Sequence, residues 1–367
     1  MPLSLLIAGG GTGGHLYPGI AVARELMARM PDARVTFVGT AAGIEARVIP
    51  REGFELELIR SAGIKGKSAQ SIARGIALLP LSAGDAWQVL SRRRPSIVIG
   101  VGGYSSGPVV LLSALRGVPA MLMEQNAMPG FTNRALAPFV NAAAVTYQET
   151  MAYFGDKAFV SGNPVRPEFL QHEGAHGHDE LPPLGFRPGA ARVLVFGGSQ
   201  GAHAINVAMV EAAARLATAR PRLEITHQTG ERDLEMVRDG YRRAGLEARV
   251  EPFLFQMDRE MKAAQLVVCR AGATTLAELT ACGRPSILVP LPTATDDHQR
   301  KNAEALVKQA AAVMVEQREL TGDRLAAEIA ALAGDADRRR RMGDAARQLA
   351  RPDAARTIVD KVVALAR

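Results

Sequence analysis

Leu3-Ser4-Leu5-Leu6-Ile7-Ala8-Gly9-Gly10-Gly11-Thr12-Gly13-Gly14-His15 is an apolar run that ends in a cluster of glycines. The run has the length of a buried strand, and Pro18, with the Ala-, Val- and Leu-rich residues after it, marks the first turn of a helix. Glycines take positive φ and let backbone N–H groups come close to a ligand, so a strand that turns into a helix through them invites an anion. His15 closes the turn. Its imidazole would exchange protons near neutral pH, and the positive end of the helix favours the neutral ring, the form that acts as a base. A helix-entry histidine that only satisfies backbone groups is the other reading of this residue.

The loop also matches G-x-G-x-x-G through Gly9, Gly11 and Gly14. A dinucleotide fold would follow its second strand with an acidic residue for the ribose, but this strand ends Val38-Gly39-Thr40-Ala41-Ala42. Nicotinamide binding is therefore disfavoured, and no cofactor is expected.

The chain has 367 residues, more than one ordinary core accommodates, so two domains are expected. Hydrophobic residues make up 47% and charged residues 22%, a globular rather than a disordered balance. With only Cys269 and Cys282, no disulfide framework is implied and a reducing compartment is the natural reading. Leu3 to Ala8 is too short for a signal-peptide core, and no stretch approaches the roughly 20 apolar residues of a membrane span. The net charge of +7 favours anionic partners, or simply reflects an Arg- and Ala-biased composition. Aromatic residues are 5% and form no stacking platform, which sets nucleic acid aside.

Working outward from the first loop, apolar runs recur at Leu3 to Ala8, Arg34 to Gly39, Ser96 to Gly100, Ala120 to Met123 and Ala142 to Val145. Helical patterns fill most of the gaps, which predicts βαβ units and a doubly wound, mainly parallel sheet. The plan restarts at Arg192 to Phe196 and continues through Leu223 to His227, Arg249 to Glu251, Leu266 to Cys269, Ser286 to Val289 and Ala312 to Val315. Between the halves lies Asn163 to Gly189, rich in Pro, Gly, His and Asp, as a domain boundary. The expected fold is α/β, with two Rossmann-like domains facing across a cleft. Loops 9–15, 100–107, 124–130, 197–202, 270–278 and 290–299 would form its walls, since ligands bind beyond the carboxyl ends of such strands.

Those loops carry the chemistry. Gly197-Gly198-Ser199-Gln200-Gly201-Ala202 repeats the strand-to-helix anion site with a hydroxyl, although a tight βα turn needs no ligand. Arg270-Ala271-Gly272-Ala273-Thr274-Thr275-Leu276-Ala277-Glu278 enters another helix; Glu278 suits a ribose diol, and Thr275-x-x-Glu278 reads equally as a capping box. Gln299, after Asp296-Asp297-His298, offers the donor and acceptor that read sugar hydroxyls. Arg166 at the junction is placed to pair with a diphosphate, or is an exposed linker arginine. Glu124-Gln125-Asn126 adds amide and carboxylate groups. No metal site is expected: His172, His176 and His178 lie in a Gly/Asp-rich linker.

Residues 64–94 look outward. Ile64, Ile72, Ile76, Leu79 and Trp87 stand among Lys65, Lys67, Arg74 and Arg92-Arg93-Arg94. Apolar side chains ringed by cations suit an anionic membrane surface; a core-facing helix with a solvated basic face is the alternative.

Taken together, these segments resemble the MurG family, peripheral membrane transferases that add N-acetylglucosamine to the undecaprenyl-diphosphate-linked muramyl pentapeptide (lipid I). The likeness rests on Gly10 to His15, Gly102-Gly103-Tyr104-Ser105-Ser106-Gly107-Pro108, Glu124-Gln125-Asn126, Gly162-Asn163-Pro164-Val165-Arg166, Gly197 to Ala202, Arg270-x-Gly272-Ala273 with Glu278, and Asp296-Asp297-His298-Gln299-x-x-Asn302. It implies a GT-B fold with an acceptor- and membrane-facing domain over 1–163, joined by a C-terminal helix at about 353–367, and a UDP-GlcNAc domain over 164–352. By the same resemblance Glu278 holds the ribose, the Leu254 backbone the uracil, Ser199 and Arg166 the diphosphate, and Gln299 the sugar, with Ala273 to Ala277 beside them. Thr12, Gly13, Gly14 and Asn126 close over the donor; for the inverting displacement this chemistry requires, His15 is the candidate base on the grounds given above. The implied location is the cytoplasmic face of the plasma membrane. Another UDP-sugar enzyme of this fold, such as a UDP-GlcNAc 2-epimerase, or a non-catalytic UDP-sugar or lipid sensor, is the competing reading. The linker from Gln171 to Gly189 is longer and richer in His than the family pattern.

Overall fold

The computed structural model describes residues 2–61, 78–170, 189–198 and 200–366. They divide into two units, Met1–Arg166 with Arg351–Arg367, and Pro167–Ala350.

In the first unit the strands are β1 (Ser4–Gly9), β2 (Arg34–Gly39), β3 (Glu55–Leu58), β4 (Ile97–Gly102), β5 (Ala120–Glu124), β6 (Ala142–Val145) and β7 (Ala158–Val160). They pair in the order β3-β2-β1-β4-β5-β6-β7, and every described pairing is parallel. Helices cover both faces, which is why the inner strands read as unbroken apolar runs. Helix α1 (Gly13–Arg29) and the last helix, Ala354–Leu365, pack over Ile7, Phe37, Ile99 and Met121. On the other face, helices Leu79–Arg93 and Ser106–Leu115 cover Leu6, Val98 and Leu122.

The C-terminal helix thus completes the first unit's core, through Ile358, Val359 and Val362. Arg29 pairs with Asp360 at 2.5 Å.

The second unit repeats the scheme with β8 (Ala191–Phe196), β9 (Leu223–Gln228), β10 (Ala248–Glu251), β11 (Leu266–Cys269), β12 (Ser286–Leu288) and β13 (Ala312–Met314), ordered β10-β9-β8-β11-β12-β13. Helices His203–Ala217 and Gly322–Gly334 cover Val193, Val195 and Ile225. Helix Ala273–Cys282 covers Leu194, Phe196 and Val267.

Every strand read from an apolar run is present. The two that were not read, β3 and β7, lie at the sheet edges. β3 alternates Glu and Leu with no residue buried, and β7 is three residues long with each half-buried. Edge strands face solvent, so the apolar signal that marks a central strand is missing.

In both sheets the chain reverses its direction of travel once, between β1 and β4 and between β8 and β11. Such a switch point opens a crevice beyond the strand ends, where ligands of open α/β sheets bind.

Candidate active site

At the first switch point the glycine loop meets Gly102-Gly103. The β1–β4 register slips after Ala8, so that Gly9 faces Gly102, and the Gly10 N–H donates to the Gly102 carbonyl at 3.3 Å. A Cβ on Gly9 would stand 2.3 Å from the Gly102 oxygen, and one on Gly103 2.6 Å from the Gly10 oxygen; only glycine lets the two backbones meet. Helix α1 starts at Gly13 with Thr12 as N-cap. His15, in the first turn, sits with Nδ1 3.2 Å from Thr12 Oγ1 and its Nε2 edge over Gly102. The imidazole therefore stands at the strand reversal.

The anion expected at this loop is supplied from within. Glu45, the first residue of α2 (Glu45–Arg51), is 1% exposed. Its carboxylate accepts the Gly11 N–H at 2.8 Å, the Thr40 N–H at 2.9 Å and the Thr40 hydroxyl at 3.1 Å. An acid does follow the second strand, then, but it serves the glycines rather than a ribose. The Glu124 carboxylate is likewise no free group of its loop. It is buried and accepts N–H groups from Asn126, Gly130 and Asn133; burial pushes its pKa up against these donors. Asn126 is half-buried on that loop, and the Arg166 guanidinium lies 5.4 Å from the Tyr17 ring centroid, on the first turns of α1.

In the second unit the loops after β8 and β9 touch backbone to backbone. A Cβ on Gly201 would stand 1.8 Å from the Thr229 oxygen, and one on Gly230 2.2 Å from the Gln200 oxygen. Gln228, buried at the end of β9, spans two loops. Its Nε2 donates to the Gly198 carbonyl at 2.8 Å, and its Oε1 accepts the Leu254 N–H at 2.8 Å. The Leu254 N–H is thereby engaged within the protein. Behind this loop, His227 is buried with Nε2 3.0 Å from Asn206 Oδ1 and Nδ1 2.8 Å from the Tyr241 hydroxyl. Asn206 Nδ2 donates to Thr229 O and to Asp233, so its oxygen accepts the His227 Nε2–H, and Tyr241 donates to Nδ1. Burial pushes the His227 pKa down to about 3, so the ring is neutral.

The third glycine turn enters helix Ala273–Cys282 with Gly272 as N-cap. Thr275 lies inside the helix, so Thr275-x-x-Glu278 is not a capping box. Glu278 and Ala273 are both buried on this helix, while Thr274, Thr275 and Ala277 are half-buried. Leu276 packs into the core, leaving only its backbone for a ligand. Arg270 donates to the carbonyls of Val289 and Pro290 at 3.1 and 3.0 Å and to Gln317 at 2.7 Å, tying the loop after β11 to the one after β12. Gln299 accepts the Leu291 N–H at 3.0 Å. Ahead of it Asp296 and Asp297 have φ of 54° and 55°, two consecutive left-handed non-glycine residues, a strained turn.

Glu45, Gln228 and Arg270 in its bracing role escape a reading of the sequence, because each acts on backbone far away in the chain. The one signal is a polar side chain at a strand end or helix start beside glycines. Ser199, the histidines at 172, 176 and 178, and Ile64, Lys65, Lys67, Ile72, Arg74 and Ile76 lie outside the described residues. Leu79 and Trp87 are described, and they are 46% and 54% exposed. Their helix does face the core, through Ser82, Ala86, Val89 and Leu90, and Leu79 and Trp87 lie off that face. Among the described residues no helix is long and apolar enough to cross a membrane.

Two doubly wound parallel units in one chain, each with glycine turns at its switch point, make the GT-B architecture of sugar-nucleotide glycosyltransferases. Residues 5–145 match the glycosyltransferase family 28 N-terminal domain and residues 192–358 the glycosyltransferase family 28 C-terminal domain. A Pelobacter propionicus protein named UDP-N-acetylglucosamine--N-acetylmuramyl-(pentapeptide) pyrophosphoryl-undecaprenol N-acetylglucosamine transferase is 50% identical, covering 98% of this chain and 99% of that one. The crystal structure of Acinetobacter baumannii MurG matches with a TM-score of 0.80 at 28% identity, over 99% of this chain and 100% of that chain. A Neisseria meningitidis UDP-GlcNAc 2-epimerase shares the fold, with a TM-score of 0.68 at 12% identity over 99% of this chain and 100% of that one. The chain belongs to the MurG family of glycosyltransferases.

Proposed function

We infer that the protein transfers N-acetylglucosamine from UDP-GlcNAc to the N-acetylmuramyl-pentapeptide of undecaprenyl-diphosphate-linked lipid I, yielding lipid II for peptidoglycan. The observation that carries this reading is the 50% identity, along nearly the whole chain, to a transferase of that name.

The chemistry is a single inverting displacement. The muramyl C4 hydroxyl attacks C1 of the sugar, the bond from C1 to the diphosphate oxygen breaks, UDP leaves with the electron pair, and the hydroxyl proton passes to His15, directly or through water. His15 fits the role by its place at the strand reversal and its contact with Thr12.

The second unit holds the donor. Glu278 accepts the ribose hydroxyls, the Ser199 loop offsets the charge growing on the diphosphate together with Arg166, the last residue of the first unit's main stretch, and Gln299 reads the sugar. With the Leu254 N–H given to Gln228, the Leu254 carbonyl is the backbone group that receives the uracil N3–H. Thr12, Gly13, Gly14 and Asn126 contribute from the first unit. The exposure of Leu79 and Trp87 supports docking of residues 64–94 on an anionic bilayer, on the cytoplasmic face of the plasma membrane.

The decisive experiment follows UDP release from UDP-GlcNAc with and without a short-chain lipid I analogue. Release that requires the analogue is expected. Conversion of UDP-GlcNAc without any acceptor would make the protein an epimerase-type enzyme, and binding of both ligands without turnover would make it a sensor.

A further inference from the structure

We propose that Glu45 is the anion around which the N-terminal glycine loop is built: a positioning residue that sets the His15 imidazole and bars the phosphates of either substrate from that loop. The first half of this statement rests on the reading of His15 as the base; the second does not.

The loop has the outward form of a phosphate nest, with Gly9, Gly10 and Gly11 all at positive φ ahead of a helix. Its ligand is already in place. One carboxylate oxygen of Glu45 takes the Gly11 N–H, and the other takes the Thr40 N–H and hydroxyl, so a fully buried charge is met by donors on both sides. The surrounding backbone is shaped to it. A Cβ on Gly10 would stand 2.6 Å from the Glu45 carboxyl carbon, one on Gly39 2.3 Å from its Cγ, and one on Gly43 2.1 Å from its oxygen. Three glycines from three segments leave room for one side chain, and any larger residue there would displace it.

Two consequences follow. Holding the Gly11 N–H fixes the residue before Thr12, whose hydroxyl lies 3.2 Å from His15 Nδ1. With Nδ1–H donated to that hydroxyl, Nε2 carries the lone pair that accepts the acceptor's proton. Second, a phosphate brought to the same N–H would compete with a carboxylate that already holds it and would face that like charge at contact distance. Both substrates carry a diphosphate, so the Gly11 N–H serves neither of them, and what Thr12, Gly13 and Gly14 contribute is contact with the sugar. The donor's diphosphate is left to the loops of the second unit, and the acceptor's to cations elsewhere on the first.

The test compares wild type, Glu45→Ala, Glu45→Gln and His15→Ala in two assays. In steady-state turnover, Glu45→Ala should lower kcat by about tenfold or more with the KM for UDP-GlcNAc changed by less than about twofold, since the base is misplaced while the donor site is intact. Glu45→Gln keeps the volume but turns an N–H2 toward either the Gly11 donor or the Thr40 pair, and its kcat should fall between those of wild type and Glu45→Ala. In calorimetric titration with UDP saturating the donor site, inorganic pyrophosphate should bind Glu45→Ala, whose Gly11 N–H is uncovered, at one site more than the wild type offers, and that extra site should be lost in Glu45→Ala combined with Gly11→Ala. Wild-type kcat in Glu45→Ala overturns the positioning role, and pyrophosphate binding to the UDP-saturated wild type at that loop, lost on adding bulk at Gly11 with Gly11→Ala, overturns the exclusion. Should Glu45→Ala fail to fold, the kcat of Glu45→Gln decides: unchanged turnover refutes the proposal and a fall at constant KM supports it. Full activity in His15→Ala removes that histidine from catalysis and leaves the pyrophosphate arm to judge Glu45 alone.

Discussion

The roles proposed for His15 and Glu278 are ones that kinetics can separate. His15→Ala should lower kcat by about 10² or more while UDP-GlcNAc affinity stays near that of the wild type, read from turnover and donor titration. Glu278→Ala should instead weaken UDP binding in a direct titration, and equal affinity would leave Glu278 as a structural residue. Both stand out as candidates in the chain because each sits within a few residues of a glycine turn. Glu45 does not. It lies in an ordinary helical stretch, and nothing local says that its carboxylate ends under Gly11. His227 makes a different prediction. Its pKa falls from the ordinary value to about 3 on burial, so between about pH 6.5 and 3 the unfolded chain binds a proton that the folded chain does not. Stability from this group is complete above pH 6.5 and is lost as pH falls, by at most about 1.4 kcal/mol per pH unit. Thermal melts from pH 7.5 to 4 should show the wild-type Tm falling more steeply than that of His227→Gln; parallel curves would refute it.

The last helix, Ala354–Leu365, is remote in sequence from the unit it completes. Ile358 and Val362 are fully buried in the core built by α1, β1 and β4, so Ile358→Ala should destabilise the first unit by about 2–5 kcal/mol, read by denaturant unfolding. UDP binding, which we assign to the second unit, should survive in the same variant under native conditions. A loss of UDP affinity equal to the loss of stability would count against that assignment. The central strands could be read from apolar runs because helices bury them on both sides, whereas β3 and β7 escaped because an edge strand needs neither length nor apolarity. The helix starts were legible through glycines, yet the cross-braces between loops, Gln228 to Gly198 and Leu254 and Arg270 to Val289 and Pro290, belong to no single element. They form only when neighbouring strands of the sheet bring their ends together.

For the molecule at work on a bilayer, cations and apolar side chains over 64–94 predict sedimentation with anionic vesicles and weaker binding to zwitterionic ones. Reversing the charges of Lys65, Lys67 and Arg74 together should reduce binding by about a hundredfold or more, at roughly 1 kcal/mol per cation near the surface. Binding indifferent to that change would remove the patch from membrane docking. What the sequence by itself determined is the local grammar: strand, glycine turn and helix, repeated twice, with the ionisable and amide groups of each turn in order along the chain. Hydrophobic periodicity and the φ freedom of glycine are properties of neighbouring residues, so they can be read without a fold. Only the tertiary structure decided which backbone groups remain open to a ligand. It gave the Gly11 N–H to Glu45, the Leu254 N–H to Gln228 and the Glu124 carboxylate to its own loop. Those pairings depend on strand order and on burial, where an unmet donor or charge is too costly to persist, and neither is written in any one stretch of chain.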